Sequence, residues 1–307
     1  MSDLAGLFAA KEHALRTSLE AVWDSYQGAR ASGAAPFDAA IRVAASVDRL
    51  GLAFAAGYSA SLEQLIPDLI LPCALCVTEA DGNHPRAIKA RLKASHSGSG
   101  YTLDGAKTFV TFGSMAKTLI VAARVGVQSD GRPQLAVVRV PADRQGVSLK
   151  ELPSMSFVPE IPHAYVKFDD VPVNAAERMN GDGYLDYVKP FRTVEDIHVF
   201  ATASAYLLGL AKRSAAPAES MSELCATIVT LDRLSAAPPS NPGVHVALHG
   251  VIQNLSRLFS SDAFTKVSEG APPEERARWE RDRKLLLVAN KAREARFQKA
   301  VSQLGLC

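Results

Sequence analysis

Three groupings in the sequence combine residue types that can do chemistry. Cys73 and Cys76 form a single C-x-x-C, the spacing of half a zinc site or of a redox pair. No second pair exists, and Pro72 with the apolar run ALCV around the motif points instead to cysteines buried in a strand. His245 and His249 stand at i, i+4, a spacing that binds a metal when a third ligand helps. The surrounding NPGVHVALHG lacks the adjacent glutamate of a zinc protease, so surface or bundle packing is the stronger reading. The third grouping is a pair of stretches, LCVTEADGNHPRAI over 75–88 and LDGAKTFVTFG over 103–113. An apolar strand runs into an acidic turn broken by glycine and proline, and a second strand alternating threonine with aromatic residues answers it. No G-x-x-x-x-G-K-[ST], no G-x-G-x-x-G between strand and helix and no G-x-S-x-G occurs, so neither a P-loop, a Rossmann dinucleotide site nor a serine-hydrolase elbow is indicated.

Three kinds of segment must position these residues. From Ser2 to about Gln64 the pattern is helical: Leu4, Leu7 and Phe8, then Ala14, Leu15, Leu19, Val22 and Trp23 recur at three- and four-residue steps, with Lys11, Glu12, Arg16 and Glu20 on the other face. A second amphipathic run, DAAIRVAASVDRLGLAFAAGYSASLEQLI, follows the Gly-Ala-Ala-Pro break at 33–36, and its small residues suit close helix packing or a ligand-facing wall. Between Pro72 and about Tyr184 the segments YTLDGAKTFVTF, TLIVAARV, QLAVVRVPAD and AYVKFDDVPV are short, β-branched and aromatic, with HSGSG (96–100) and QSDGRP (128–133) as hairpin connections. After GDGY (181–184) the helical period returns in four candidate helices, enough for a bundle. The expected division is a helical domain over 1–72, a β domain over 73–185 and a four-helix bundle over 186–307, an α+β multidomain fold.

Composition narrows the partners. The 307 residues are 48% apolar and 21% charged, and 34 basic against 32 acidic side chains leave a net charge of +2. That gives no electrostatic case for nucleic acid or acidic lipid, so any anionic ligand must be met by a local pocket. The best apolar run, LIPDLILPCALCV, is cut by two prolines and an aspartate, and the N-terminus has no basic leader, which leads to an expectation of a cytoplasmic protein.

The order helix, β, helix, together with CVTEADG, LDGAKTFVTFG, FDDVPV and GDGY, resembles the acyl-CoA dehydrogenase family. These flavoenzymes have a helical N-terminal domain, a barrel-like β middle domain and a C-terminal four-helix bundle. The likeness is strong over residues 73–184 and weaker outside. It implies FAD held by Cys76, Val77 and Thr78 on one strand and by Phe109, Val110 and Thr111 on a second, where the family's G-x-K-x-W-[IV]-T is Gly105, Lys107, Phe109, Val110 and Thr111. The physical sense stands beside the analogy. Isoalloxazine is flat and apolar at its benzenoid end, with N1, O2, N3, O4 and N5 along a polar edge that backbone N–H groups and a threonine hydroxyl satisfy, while Phe109 can pack on the ring. Where the family shows P-x-x-G-S-D for the CoA part of the substrate, this chain offers Gly82 and Asn83, with His84 in place of the acid. The family's Arg-x-x-Phe-Gly and Q-x-x-G-G-x-G-Y elements, which reach a neighbouring subunit's FAD, have no counterpart in KRSAAPAESMSE or VIQNLSRLFSSDAF.

Removing a proton beside a thioester carbonyl, while hydride leaves the β-carbon for flavin N5, requires a carboxylate tuned by burial. Many family members carry it after an R-D-x-K helix start. Here Arg281, Asp282, Arg283 and Lys284 are present, and Asn290, which cannot act as a base, stands at the glutamate's place. Other members carry the base on the first bundle helix, at a position matching Val199, one turn from Glu195. Glu195 is therefore the candidate base. Glu195 and Asp196 equally read as acids decorating a first helical turn, and His198 is a weaker base candidate.

The resemblance implies a shortened, divergent flavoprotein that oxidises an acyl-CoA thioester at the α,β carbons with FAD as hydride acceptor. It also implies a homo-oligomer and an electron-transferring flavoprotein as partner. Two alternatives stay open: a catalytically silent paralogue with a binding or assembly role, and a flavin-dependent monooxygenase on the same fold. FMN in place of FAD stays open as well.

Overall fold

The computed structural model describes residues 14–95, 100–214, 216 and 218–306. The expected helical positions before Ala14, most of the 96–100 turn and Cys307 lie outside the described residues. The chain groups into two units. A helical unit gathers the described residues of Met1–Gln64, Ser156–Glu160 and Thr193–Cys307, and a β unit takes Leu65–Met155 and Ile161–Arg192.

In the β unit, β1 (Cys73–Cys76), β2 (Arg91–Ala94), β3 (Tyr101–Thr111), β4 (Thr118–Val127), β5 (Pro133–Pro141), β6 (Val147–Glu151) and β7 (His163–Val173) form one sheet. Its order is β1-β4-β2-β3-β7-β6, with β5 pairing on β4. β4 accepts β1 and β2 in parallel and β5 antiparallel. Successive side chains point to opposite faces of a strand. Leu119, Val121 and Ala123 of β4 accordingly join one apolar core with Leu103, Val166 and Phe168, while Ile120 and Ala122 join a second with Leu135 and Val137. Burial on both faces is why β4 and β5 are nearly continuous apolar runs. The expected turn at 128–133 is a hairpin closed by Gln128 N–H to Arg132 O and Gly131 N–H to Gln128 O. β2 and β6 escape the sequence reading because RLKA is four residues long and VSLKE lies mostly exposed at an edge.

The GDGY motif ends the strand region of this unit for two physical reasons. Asp182 accepts the N–H groups of Tyr184 and Leu185, capping a π-helical turn over Gly183–Val188. A Cβ on Gly183 would stand 2.8 Å from the β5 backbone at Leu135 and Ala136, so only glycine lets the turn lie on that strand.

The helical unit contains α1 (Leu19–Ala31), α2 (Pro36–Ala44) and α3 (Leu50–Leu65), then α4 (Lys189–Arg213), whose first residues belong to the β unit. It continues with α5 (Ala218–Ser235), α6 (Pro242–Phe259), α7 (Asp262–Gly270), α8 (Pro273–Asp282) and α9 (Asn290–Leu304). The run at 38–66, expected as one helix, is broken between α2 and α3, where Ser46 Oγ donates to Val43 O and the Arg16 N–H pairs with Ser46 O. The last candidate helix, expected over 272–304, is likewise two helices joined by a 3-10 turn, Arg283–Leu287. At that break Asp282 is fully buried and accepts the Val158 N–H at 2.7 Å as well as two N–H groups of Arg281. α7 was not among the expected helices.

Small residues in α3 and α4 serve packing. A Cβ on Gly57 would meet Thr202 Oγ1 at 2.6 Å, and one on Gly209 would meet Ala45 O at 2.0 Å, a backbone atom that cannot swing away. Gly209→Ala should therefore lower stability by about 1–3 kcal/mol. On α6, a Cβ added to Gly250 would have nothing within 4 Å, so Gly250→Ala should raise stability by up to about 1 kcal/mol. Urea midpoints of the two variants moving in opposite directions check the packing.

Candidate functional site

The sequence places Lys107 in phase with Leu103 on the inward side of β3, and the structure buries its side chain completely. An ammonium there must be paired. Its Nζ donates to Glu79 Oε1 at 2.8 Å and to Val77 O at 3.1 Å. Glu79 accepts in addition the N–H of Lys89 at 2.8 Å and that of Ala90 at 3.0 Å. Burial pulls the Lys107 pKa down while Glu79 opposes the shift. This knot ties the end of β1, the approach to β2 and the middle of β3 at one point. Its signal was legible in the sequence, since an inward-phase lysine demands a carboxylate, but the partner was not.

Thr78, half-buried just after β1, lies at this knot, and its carbonyl accepts the Thr108 N–H at 3.0 Å. The β3–β7 register shifts between Lys107 and Val110. Inside that bulge Phe109 adopts φ +54° and stands 67% exposed. A bulky non-glycine residue in the left-handed region is strained, and an exposed ring gains nothing from burial in return. Val110 is buried, Thr111 is half-buried, and Cys76 and Val77 are buried behind Thr78. The six residues named for the cofactor thus divide into three that form core, Cys76, Val77 and Val110, and three that reach the surface, Thr78, Phe109 and Thr111. An exposed ring beside two threonines fits a flat heteroaromatic group with a polar edge.

Cys73 and Cys76 are buried strand cysteines, and burial pushes the Cys76 thiol up to about 12, out of the reactive range.

Gly82, at φ +108°, closes a tight turn in which the N–H groups and carbonyls of Glu79 and Gly82 exchange hydrogen bonds, and Asn83 follows it. Asn83 is exposed, and its carbonyl accepts from Arg192 at 3.0 Å. His84, which stands where the family has an acid, caps a short 3-10 turn by accepting the Arg86 N–H.

The helical unit sorts the acid–base candidates. α4 continues directly from the π-turn at Gly183–Val188, so Glu195 and Asp196 lie in its second turn and do not decorate a helix start. Asp196 is buried and bonded to Arg293, at 2.9 Å, and to Arg296. Burial pushes its carboxyl up against the opposing pull of both guanidinium groups. Between Phe191 and Ala211, the half-buried positions of α4 are Arg192 and Glu195, three apart and hence on one stripe. Asn290 begins α9 and accepts from Arg293. The His249 ring is stacked on Phe297, centroids 3.7 Å apart, which gives that histidine of the i, i+4 pair a packing role.

His198 is fully buried, edge-on to Phe37 at 5.5 Å, with Nδ1 2.8 Å from Val194 O. Because a carbonyl only accepts, Nδ1 carries a proton, and burial of Nε2 without a hydrogen-bond partner disfavours a second one. Burial pulls its pKa down from 6.5 to about 4. The unfolded chain therefore takes up a proton at higher pH than the folded one, and stability should fall as pH drops from about 6.5 to about 4, by up to about 3 kcal/mol. Urea denaturation across that window, compared with His198→Gln, should show the slope in the parent and a flatter profile in the variant.

Residues 74–171 match the family described as acyl-CoA dehydrogenase, middle domain. No curated protein matches the chain. Among solved structures, butyryl-CoA dehydrogenase from Megasphaera elsdenii is similar at a TM-score of 0.63 and 16% identity, over 91% of this chain and 85% of that one. Dibenzothiophene monooxygenase from Paenibacillus sp. A11-2 is similar at a TM-score of 0.63 and 15% identity, over 90% and 87%. A complex of that protein with FMN and indole is similar at a TM-score of 0.63 and 16% identity, over 90% and 87%. At these identities the likeness shows the fold, which is that of the acyl-CoA dehydrogenases.

Proposed function

We propose that this chain, whose residues 74–171 match the acyl-CoA dehydrogenase middle domain, is a member of that family and a flavoprotein oxidoreductase that removes hydrogen from the α,β carbons of an acyl-CoA thioester. The observation that carries the reading is Phe109, an aromatic ring held out of the core on strained backbone and tied through Thr108 to Thr78. A flavin, FAD in this reading, supplies the hydride-accepting atom. Thr78 and Thr111 satisfy its polar edge, Phe109 covers its apolar part, and Cys76, Val77 and Val110 fix the strands that present them. Gly82 and Asn83 orient the substrate. Glu195 takes the proton next to the thioester carbonyl, a role for which Asp196, committed to two arginines, and His198, buried and neutral, are unsuited. The family also implies an electron-transferring flavoprotein partner and a homo-oligomer, and the sequence reading adds a cytoplasmic setting. Among the described residues no helix is long and apolar enough to cross a membrane.

The test is anaerobic mixing of the flavin-loaded protein with a series of acyl-CoA thioesters. Bleaching of the flavin absorbance supports the reading, and no bleaching with any member overturns it. Asn290, neutral and bonded to Arg293, favours one second reading, a flavin-dependent monooxygenase that needs no α-proton base. Oxygen consumption by the reduced, flavin-loaded protein in the presence of an aromatic substrate distinguishes it.

Phe109→Gly should weaken flavin binding about three- to tenfold, the worth of one aromatic stack. Because the ring is exposed and glycine is at ease at positive φ, the same change should leave thermal stability unchanged or higher. Fluorescence quenching titrations with FAD and a melting curve read the two effects separately.

A further inference from the structure

We propose that the groove between α6 and α9 binds a small amphipathic carboxylate, its alkyl part on the groove floor and its anionic head at Arg296 and Lys291. The groove measures about 760 Å³, within the range of small-molecule sites, and every residue lining it belongs to the helical unit. Its floor is apolar: Leu248, Leu255 and Leu286 are buried there, and Ile252 and Phe259 face it half-buried. Its rim is cationic. Arg283, Lys291, Arg293 and Arg296 line it against one carboxylate, Glu294.

The charges at the inner wall do not cancel. Asp196 of α4 binds both Arg293 and Arg296 of α9, so one carboxylate answers two guanidinium groups. Arg293 is further committed to Leu286 O and to Asn290 Oδ1, and its guanidinium stacks over Phe200 at 5.1 Å. Arg296 uses Nη2 on Asp196 and lines the groove with the rest of its side chain. Glu294 leans toward His249, 3.8 Å from its Nδ1, and Arg283 pairs with Glu280 at 3.3 Å. Arg283, Lys291, Arg293 and Arg296 face the three carboxylates Asp196, Glu280 and Glu294, so one net positive charge remains on this wall, with Arg296 and Lys291 above a strip of leucine and isoleucine side chains. Low dielectric strengthens the pull of such a charge on an anion, and an alkyl chain covering the strip adds apolar burial.

Isothermal titration calorimetry of the full chain with decanoate, decanol and inorganic phosphate tests this. The expected result is saturable one-to-one binding of decanoate, with decanol about tenfold weaker or more, the worth of one charge-assisted hydrogen bond. Lys291→Gln, at an exposed position, should weaken decanoate roughly threefold or more and leave decanol unchanged. Ile252→Asp should abolish binding of both while the melting temperature stays near that of the parent. Equal affinity for decanoate and decanol would overturn the proposal, as would phosphate competing as well as decanoate does, or the absence of saturation. So would a dimer that Ile252→Asp dissociates in a protein that takes up no decanoate, which would give the groove to a second copy of the chain.

Discussion

Lys107→Met should destabilise the β unit by about 3–5 kcal/mol, the scale for removing one partner of a buried ion pair. The variant leaves Glu79 buried, its carboxylate held by two backbone N–H groups with no cation opposite. Glu79→Gln should cost less, because the amide oxygen still accepts one of those N–H groups, although its NH2 faces donors. If the knot acts as a unit, Glu79→Gln combined with Lys107→Met should be less damaging than the sum of the two single changes. The functional consequence is tied to the structural one. The knot fixes Val77 and β3 on either side of Thr78 and Phe109, so variants that remain folded at low temperature should still bind flavin poorly. Urea denaturation together with FAD titration reads both. Single variants within about 1 kcal/mol of the parent would remove the knot from the account.

Glu195→Gln should slow flavin reduction by an acyl-CoA by about 10²- to 10⁴-fold, the range for losing a positioned general base. Flavin absorbance and the melting temperature should be retained, because glutamine keeps the size and hydrogen-bonding reach of the side chain. Asp196→Asn provides the contrast. It leaves two guanidinium groups facing a neutral amide and should lower stability first and rate only in consequence. Stopped-flow reduction beside thermal melts separates the two acids, and a Glu195→Gln enzyme reduced at the parent rate would end that residue's assignment as base.

The parts of the fold legible in the sequence are those whose periodicity is enforced by burial. β3, β4, β5 and β7 alternate or run apolar because the sheet buries one face or both, and α6 carries its stripe at Val244, Leu248, Val251, Leu255 and Leu258. What escaped was set by single polar contacts. The break between α2 and α3 turns on Ser46, and the break before α9 turns on Asp282 reaching Val158, 124 positions away in the sequence. At the candidate site, motif spacing located Thr78, Phe109 and Thr111, but nothing in a linear sequence shows that a phenylalanine will sit at positive φ in a bulge. Nor could spacing separate Glu195 from Asp196, since one residue of rotation along α4 decides which acid meets Arg293 and Arg296 and which stays half-exposed.

The most direct test of the flavoprotein claim is the visible absorption spectrum of the purified protein, recorded before and after incubation with FAD and removal of the excess. The account predicts flavin bands that survive desalting at about one flavin per chain and that diminish in Phe109→Gly. A colourless protein that takes up no flavin would contradict it and leave the fold to a binding or assembly role.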